Sequence, residues 1–270
     1  MNQEAWLNRH PYLRRLAQFR AQVELAAVDL PTSAAAIPHW DGYVCDFERG
    51  VPLLRSRGAA IRLEPAEEMI VSFIENMASR PLPNGLTDES RTLAAQIRRA
   101  RDHYHVVESL LGECEFAPRN AGLLHYLGWT ALSRYLRSIV EAFGSWREEE
   151  RWLRSFCPTC GSFPNMAQLV GNEPERLRLL SCSYCGTRWR YRRIACPFCE
   201  NGGEHRLEAI TIEGEACLRI DYCSLCRGYL KTYVGQGDES LFLADWTSLH
   251  LDIIASDRGL RRLAASLYEL

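Results

Sequence analysis

Cys157-Pro-Thr-Cys160, Cys182-Ser-Tyr-Cys185, Cys196-Pro-Phe-Cys199 and Cys223-Ser-Leu-Cys226 follow one another in the second half of this sequence, and their reading decides the fold. A Cys-x-x-Cys turn sets two sulfurs about a metal diameter apart, with backbone N–H groups directed at them that steady thiolate charge. Between the first and second knuckles lie 21 residues, and between the third and fourth 23. Both gaps suit a ribbon-type site, in which a hairpin brings two knuckles together. Sequential pairing is expected on this reading, although spacing leaves a cross-braced arrangement open. Cys157, Cys160, Cys182, Cys185, Cys196, Cys199, Cys223 and Cys226 are therefore the candidate ligands for two metal ions per chain. Tetrahedral four-thiolate coordination suits both zinc and mononuclear iron. Gly161 and Gly186 follow the first two knuckles, where a positive φ favours N–H to sulfur bonding. Glu200 and Arg227 stand at the matching positions of the other pair, which predicts a different geometry there.

Working outward, only Cys45 and Cys114 of the eleven cysteines precede Cys157. No run approaches the ~20 apolar residues of a membrane-spanning helix. Glu4, Arg9, Arg14 and Arg15 interrupt the N-terminus where a secretory signal would be apolar. The expected compartment is the cytoplasm, where thiols stay reduced and paired cysteines hold metal more often than they form disulfides. A formal charge of −2 over 270 residues gives no global attraction for a polyanion.

Upstream of the knuckles the pattern is helical. Leu132, Leu136, Ile139 and Phe143 form one apolar stripe within a helix expected over 120–150. Glu89 to Leu111 reads as another helix, with Thr87 or Asp88 as N-cap. Residues 4–28 and 65–79 read as helices too, with Pro65 acceptable in a first turn. Leu30 to Pro52 is expected to be irregular. After Cys157, Arg188 to Ile194 and Ala216 to Tyr222 read as strands. From Leu241 the chain turns helical again, with a break at Gly259 and a short last helix ending at Leu270. The expected class is α+β and multidomain: an all-α domain (1–155), two small zinc-ribbon-like modules (156–193 and 194–240) and a C-terminal helical segment (241–270).

The motifs Cys-Pro-Thr-Cys-Gly (157–161), Cys-Ser-Tyr-Cys-Gly-Thr-Arg-Trp (182–189), Ile-Ala-Cys-Pro-Phe-Cys (194–199) and Tyr-Cys-Ser-Leu-Cys-Arg-Gly-Tyr-Leu-Lys (222–231) together resemble the formate dehydrogenase accessory protein family FdhE. The run from Ala244-Asp245 to Leu251-Asp252 is similar as well. The likeness is specific over about 150–255 and only architectural before it. It implies a helical domain followed by two rubredoxin-like modules, each binding iron through its four cysteines. It further implies a maturation role, akin to a chaperone's, toward respiratory formate dehydrogenase, with the molybdenum-containing catalytic subunit as partner. Iron is thus favoured, and zinc stays open. A homo-oligomer also stays open.

Other features have plainer readings. Arg188-Trp-Arg-Tyr-Arg-Arg193 could track nucleic acid by stacking bases on Trp189 and Tyr191. On a strand, however, those rings face one way and Arg188, Arg190 and Arg192 the other, where they could meet an acidic partner segment. Asp102, His103 and His105 lack the i, i+4 spacing of a helical chelating pair and read as surface. His205 and His250 have no ligand partner at diagnostic spacing. Cys217, Cys45 and Cys114 read as small packed side chains. No nucleophile elbow, phosphate loop or dinucleotide fingerprint occurs, so the chain reads as a non-enzyme with no catalytic or cofactor-binding residues beyond the metal ligands. The alternatives are a nucleic-acid-binding zinc ribbon and a thiol or iron electron-transfer protein.

Overall fold

The computed structural model describes residues 1–28, 30, 36–83, 85–100, 105–203 and 207–268. The chain divides into two compact units. One comprises Met1–Arg9, His39–Ala59 and Gly144–Ser266; the other comprises His10–Pro38, Ala60–Phe143 and Leu267–Leu270.

The helices in chain order are α1 (Gln3–Arg9), α2 (Arg14–Val28), α3 (Val44–Arg49), α4 (Glu64–Ser79), α5 (Leu86–Ala100), α6 (Val106–Leu110), α7 (Ala121–Trp146), α8 (Glu239–Phe242) and α9 (Leu249–Asp257). In the helical unit, α7 buries Leu132, Leu136, Ile139 and Phe143, as their four-three-four spacing predicts. Pro65 sits in the first turn of α4, whose Ile70, Phe73 and Ile74 are buried. The helix expected over 4–28 is instead two, because Pro11 lacks an N–H and pushes the preceding residue out of helical geometry. A 3₁₀ turn, Pro11–Leu13, joins them. Glu89 to Leu111 is likewise not continuous. α5 ends at Ala100 and His105 is extended, so that both oxygens of Glu67 accept the backbone N–H groups of Val106 and Val107 at 2.8 Å and cap α6. Thr87 does not cap α5 either, since its hydroxyl lies 2.7 Å from the Leu82 N–H it accepts. The stretch read as irregular contains α3, closed by Gly50 at φ 80°.

The cysteine-bearing unit is built on one six-stranded sheet. Its strands are β1 (Met166–Val170), β2 (Leu177–Ser181), β3 (Arg188–Tyr191), β4 (Leu207–Thr211), β5 (Leu218–Cys223) and β6 (Tyr229–Val234). The order is β3-β2-β1-β6-β5-β4. Each ribbon supplies three antiparallel strands, and a single parallel pairing, Met166 opposite Lys231 through Leu169 opposite Val234, fuses the two. Neither ribbon could bury both faces of three short strands alone; fusion lets them share a core.

The C-terminal segment covers one face of this sheet. Lys231 of β6 reaches Asp245 at 2.6 Å and Asp252 at 2.8 Å, and Arg262 reaches each of the same carboxylates at 2.7 Å. Burial alone would raise the Asp245 pKa. Lys231, Arg262 and the hydroxyl of Ser266 outweigh it and hold this carboxylate well below the usual range. The short helix expected to end at Leu270 does not form over 260–268. Gly259 turns the chain at φ 66°, and Arg261 then bridges to Gly228 beside the fourth knuckle. Residues 269–270 lie outside the described residues.

Candidate metal centres

Knuckle one meets knuckle two, and knuckle three meets knuckle four, the sequential arrangement rather than the cross-braced one. The four sulfurs of each cluster lie within 4.8 Å of one another. In the first, Cys157–Cys185 and Cys160–Cys182 are both 3.5 Å apart. In the second, Cys196–Cys226 is 3.7 Å and Cys199–Cys223 is 3.8 Å. A tetrahedron with metal–sulfur bonds of ~2.3 Å has edges of about 3.8 Å. Four sulfurs at that spacing fit a tetrathiolate metal without rearrangement. Disulfides, at about 2.05 Å, would demand it.

All four knuckles close by the same backbone hydrogen bond, from the residue after the second cysteine to the carbonyl of the first: Gly161 to Cys157 (2.9 Å), Gly186 to Cys182 (3.1 Å), Glu200 to Cys196 (2.9 Å) and Arg227 to Cys223 (3.0 Å). Gly161 and Gly186 have φ of 82° and 73°. Glu200 and Arg227 adopt the same left-handed conformation, at 57° and 60°. The expectation of a different geometry at the second pair is therefore wrong. The turn is kept, and local contacts hold the side chains that adopt it. Glu200 accepts the Ser155 hydroxyl at 2.7 Å, while Arg227 donates to the Arg258 carbonyl at 2.6 Å.

Hydrogen bonds to sulfur also appear. Phe198 N–H lies 3.4 Å from Cys196 Sγ, and Gly228 N–H 3.4 Å from Cys226 Sγ. Burial raises the Cys157 and Cys182 thiols well above their ordinary value. Cys185 is buried too, yet hydrogen bonding with the other three thiols and with Thr187 overcomes burial and holds it well below. In the second cluster, burial raises Cys196 and Cys226, while backbone N–H groups and neighbouring thiols outweigh burial and lower Cys223.

Segments distant in sequence seal the first cluster. Leu53 and Leu54 donate their N–H groups to the carbonyls of Pro158 and Thr159, at 2.8 and 2.9 Å. Behind the sulfurs, the hydroxyls of Thr159 and Thr187 meet at 2.7 Å. Phe47 stacks on Trp152 at 5.3 Å, and Trp152 meets Phe156 edge-on at 5.5 Å. All four sulfur-bearing residues are buried. Sequence reasoning missed Leu53, Leu54 and this aromatic wall, and no signal at those positions connects them to a knuckle. The second cluster is open: Cys199 is exposed, Cys226 is half-buried, and Leu225 projects from the knuckle tip at 51% exposure.

Other candidates resolve differently. Trp189 and Tyr191 are buried and unable to stack on bases. Arg188 donates to Gln168, Arg190 pairs with Glu150 at 2.7 Å, and Arg193 pairs with Glu173 at 2.7 Å, so two of the four arginines in this run meet carboxylates within the chain. His250 meets Glu215 at 2.8 Å. Cys45 is exposed, contrary to the packed reading, whereas Cys114 and Cys217 are half-buried. Asp102, His103 and His205 lie outside the described residues, and His105 lies just before α6. No helix among the described residues is long and apolar enough to cross a membrane.

The family model for the central domain of FdhE matches residues 156–193, the first ribbon. Over 182 residues the chain is 34% identical to a Pseudomonas aeruginosa protein named as an FdhE homolog, covering 62% of this chain and 57% of that one. An Aquifex aeolicus FdhE homolog is 32% identical over 133 residues, 47% of each chain. Escherichia coli FdhE is 31% identical over 137 residues, 50% of this chain and 44% of that protein. The chain thus spans about half the length of the curated relatives it matches. The crystal structure of the FdhE protein from Pseudomonas aeruginosa superimposes with a TM-score of 0.64 over 95% of this chain and 88% of that one, at 24% identity, and so shares its fold. The resemblance to FdhE carried by the knuckle motifs is borne out, as is the mixed architecture of a helical N-terminal region with two four-cysteine clusters.

Proposed function

We propose that this chain is a cytoplasmic accessory protein that binds the molybdenum-containing catalytic subunit of a formate dehydrogenase and helps bring it to its active form. On this reading the eight knuckle cysteines hold two metal ions, iron at both sites, and no residue of the chain catalyses a step of its own. The observation that carries the proposal is the pair of four-sulfur clusters of tetrahedral size, the first of them inside the stretch that matches the FdhE central domain. The four segments 1–155, 156–193, 194–240 and 241–270 are its proposed modular organisation. When bound, iron would give each site a one-electron couple, and zinc would give none.

The test is deletion of the gene in its own host. Formate-dependent dye reduction by extracts should fall, tagged protein should retrieve the catalytic subunit, and purified protein should hold two iron atoms per chain with ferric-thiolate absorption. Undiminished dye reduction together with no retrieved subunit would end this reading. A second reading, electron transfer through the second cluster, is favoured by the exposure of Cys199. It requires iron there, so redox-inert zinc at that cluster defeats it.

A further inference from the structure

Fusion of the two ribbons creates a pocket that neither has alone. Residues alternate across a strand, so Thr232 faces away from the side on which its neighbour Lys231 meets the C-terminal segment. On Thr232's side, Arg178 of β2 reaches over β1 and β6 to Asp221 of β5, its Nη2 lying 2.8 Å from Oδ2. The Thr232 hydroxyl donates to the same oxygen at 2.9 Å. Arg219 of β5 places its Nε 2.8 Å from the other oxygen, close enough for charge attraction but not aligned as a hydrogen bond. Arg178 and Asp221 are 2% and 3% exposed.

One buried carboxylate therefore serves two guanidinium groups. The buried Nε–H of Arg178 has no acceptor, and among the described residues no hydrogen bond engages the terminal nitrogens of Arg219. A buried N–H group in a folded protein ordinarily has a partner, so the Arg178 donor points to one supplied from outside the chain, with the partly exposed Arg219 guanidinium beside it. Both arginines line an open pocket of about 160 Å³, shared with Leu169 and Arg193 of the first ribbon and with Leu207 and Ala209 of the second. Glu208, which also lines the pocket, is engaged by the Tyr222 hydroxyl. It forms no ion pair with Arg219.

We infer that this pocket binds a carboxylate carried on a short aliphatic stem. A guanidinium fork matches the two oxygens of a carboxylate, and the leucines and alanine suit the methylenes behind it. At about 160 Å³ the pocket has room for a propionate- or glutarate-sized group. The carboxylate comes either from a free small acid or from an acidic side chain of a docked polypeptide, and the recognising chemistry is the same.

The experiment is calorimetric titration of the full-length, metal-loaded protein with glutarate and, separately, with a capped Gly-Glu-Gly peptide. Parallel titrations use Arg219→Gln and Arg219→Lys. Arg219 is partly exposed, so both variants should fold, as unchanged circular dichroism and metal content would verify. Binding of either probe to the wild type, weakened about tenfold or more by Arg219→Gln and partly restored by Arg219→Lys, supports the site. Glutarate binding assigns a free acid, and binding of the peptide alone assigns a docked segment. No binding of either probe, or equal binding by wild type and Arg219→Gln, overturns it.

Discussion

The two cysteine clusters share a turn geometry and differ in what surrounds them. At the first, glycines occupy the left-handed positions, all four cysteines are buried, and Leu53 and Leu54 close the first knuckle from outside. At the second, Glu200 and Arg227 occupy those positions, Cys199 is exposed, and Leu225 projects into solvent. The backbone requirement for holding two sulfurs on one turn is thus the same in both, and any difference in behaviour comes from access. We expect the first metal to serve the fold and the second to exchange with solution.

The largest effect should separate these roles outright. Cys160→Ser should lose one metal equivalent and, because a structural metal supplies on the order of 10 kcal/mol of folding free energy, should also lose the cooperative unfolding transition of the sheet. Cys199→Ser should lose one metal equivalent yet retain that transition. Metal analysis beside thermal unfolding checks both, and equal damage from the two changes would erase the distinction.

Next in size is the charge network that ties β6 to the C-terminal segment. Asp245→Asn leaves Lys231 and Arg262 short of a buried counter-charge and should cost about 3–5 kcal/mol in urea unfolding. The folded-state pKa of Asp245 is depressed, so its stabilisation is fully present above the ordinary carboxylate value and is lost as pH falls through the lower folded value. The wild-type advantage over Asp245→Asn should accordingly begin to shrink below about pH 4. A chelator should then resolve the clusters kinetically at neutral pH. Release should be biphasic, one equivalent per phase, with the fast phase absent from Cys199→Ser; a single phase would argue against unequal access.

The smallest expected effects test the turn itself. Gly161→Ala forces a Cβ into a left-handed residue and within 3.0 Å of Pro52 Cγ, and should cost about 1–3 kcal/mol. Glu200→Gly relieves the same conformation but loses the bond to Ser155, so the change should stay within about 1 kcal/mol of neutral. A large loss from Glu200→Gly would mean that the Ser155 contact, rather than the turn, holds the third knuckle.

Which parts of this were legible in the sequence follows from how local each determinant is. The α7 stripe and the Cys-x-x-Cys turns are set within a few residues, and both stand where their spacing puts them. The break at Pro11 was legible too, in the residue before a proline, but the periodicity on either side masked it. Helix α6 was not. It depends on Glu67, which lies 39 residues from Val106 and caps its N-terminus. Likewise, the chain after Gly259 was read as helix by composition, whereas ion pairs from Arg262 to Asp245 and Asp252 hold it in an irregular path.

By itself the sequence determined eight sulfurs on four turns, because two-residue spacing and a tight turn are local facts of covalent geometry. It also determined, through the same motifs, the likeness to FdhE proteins. Only the tertiary structure decided that the ribbons fuse through β1 and β6, that one cluster is closed and the other open, and that Arg178 and Arg219 converge on Asp221. Each of these depends on which distant segment covers which surface. Burial and the unpartnered Arg178 donor arise from that covering, and no residue's immediate neighbours along the chain record it.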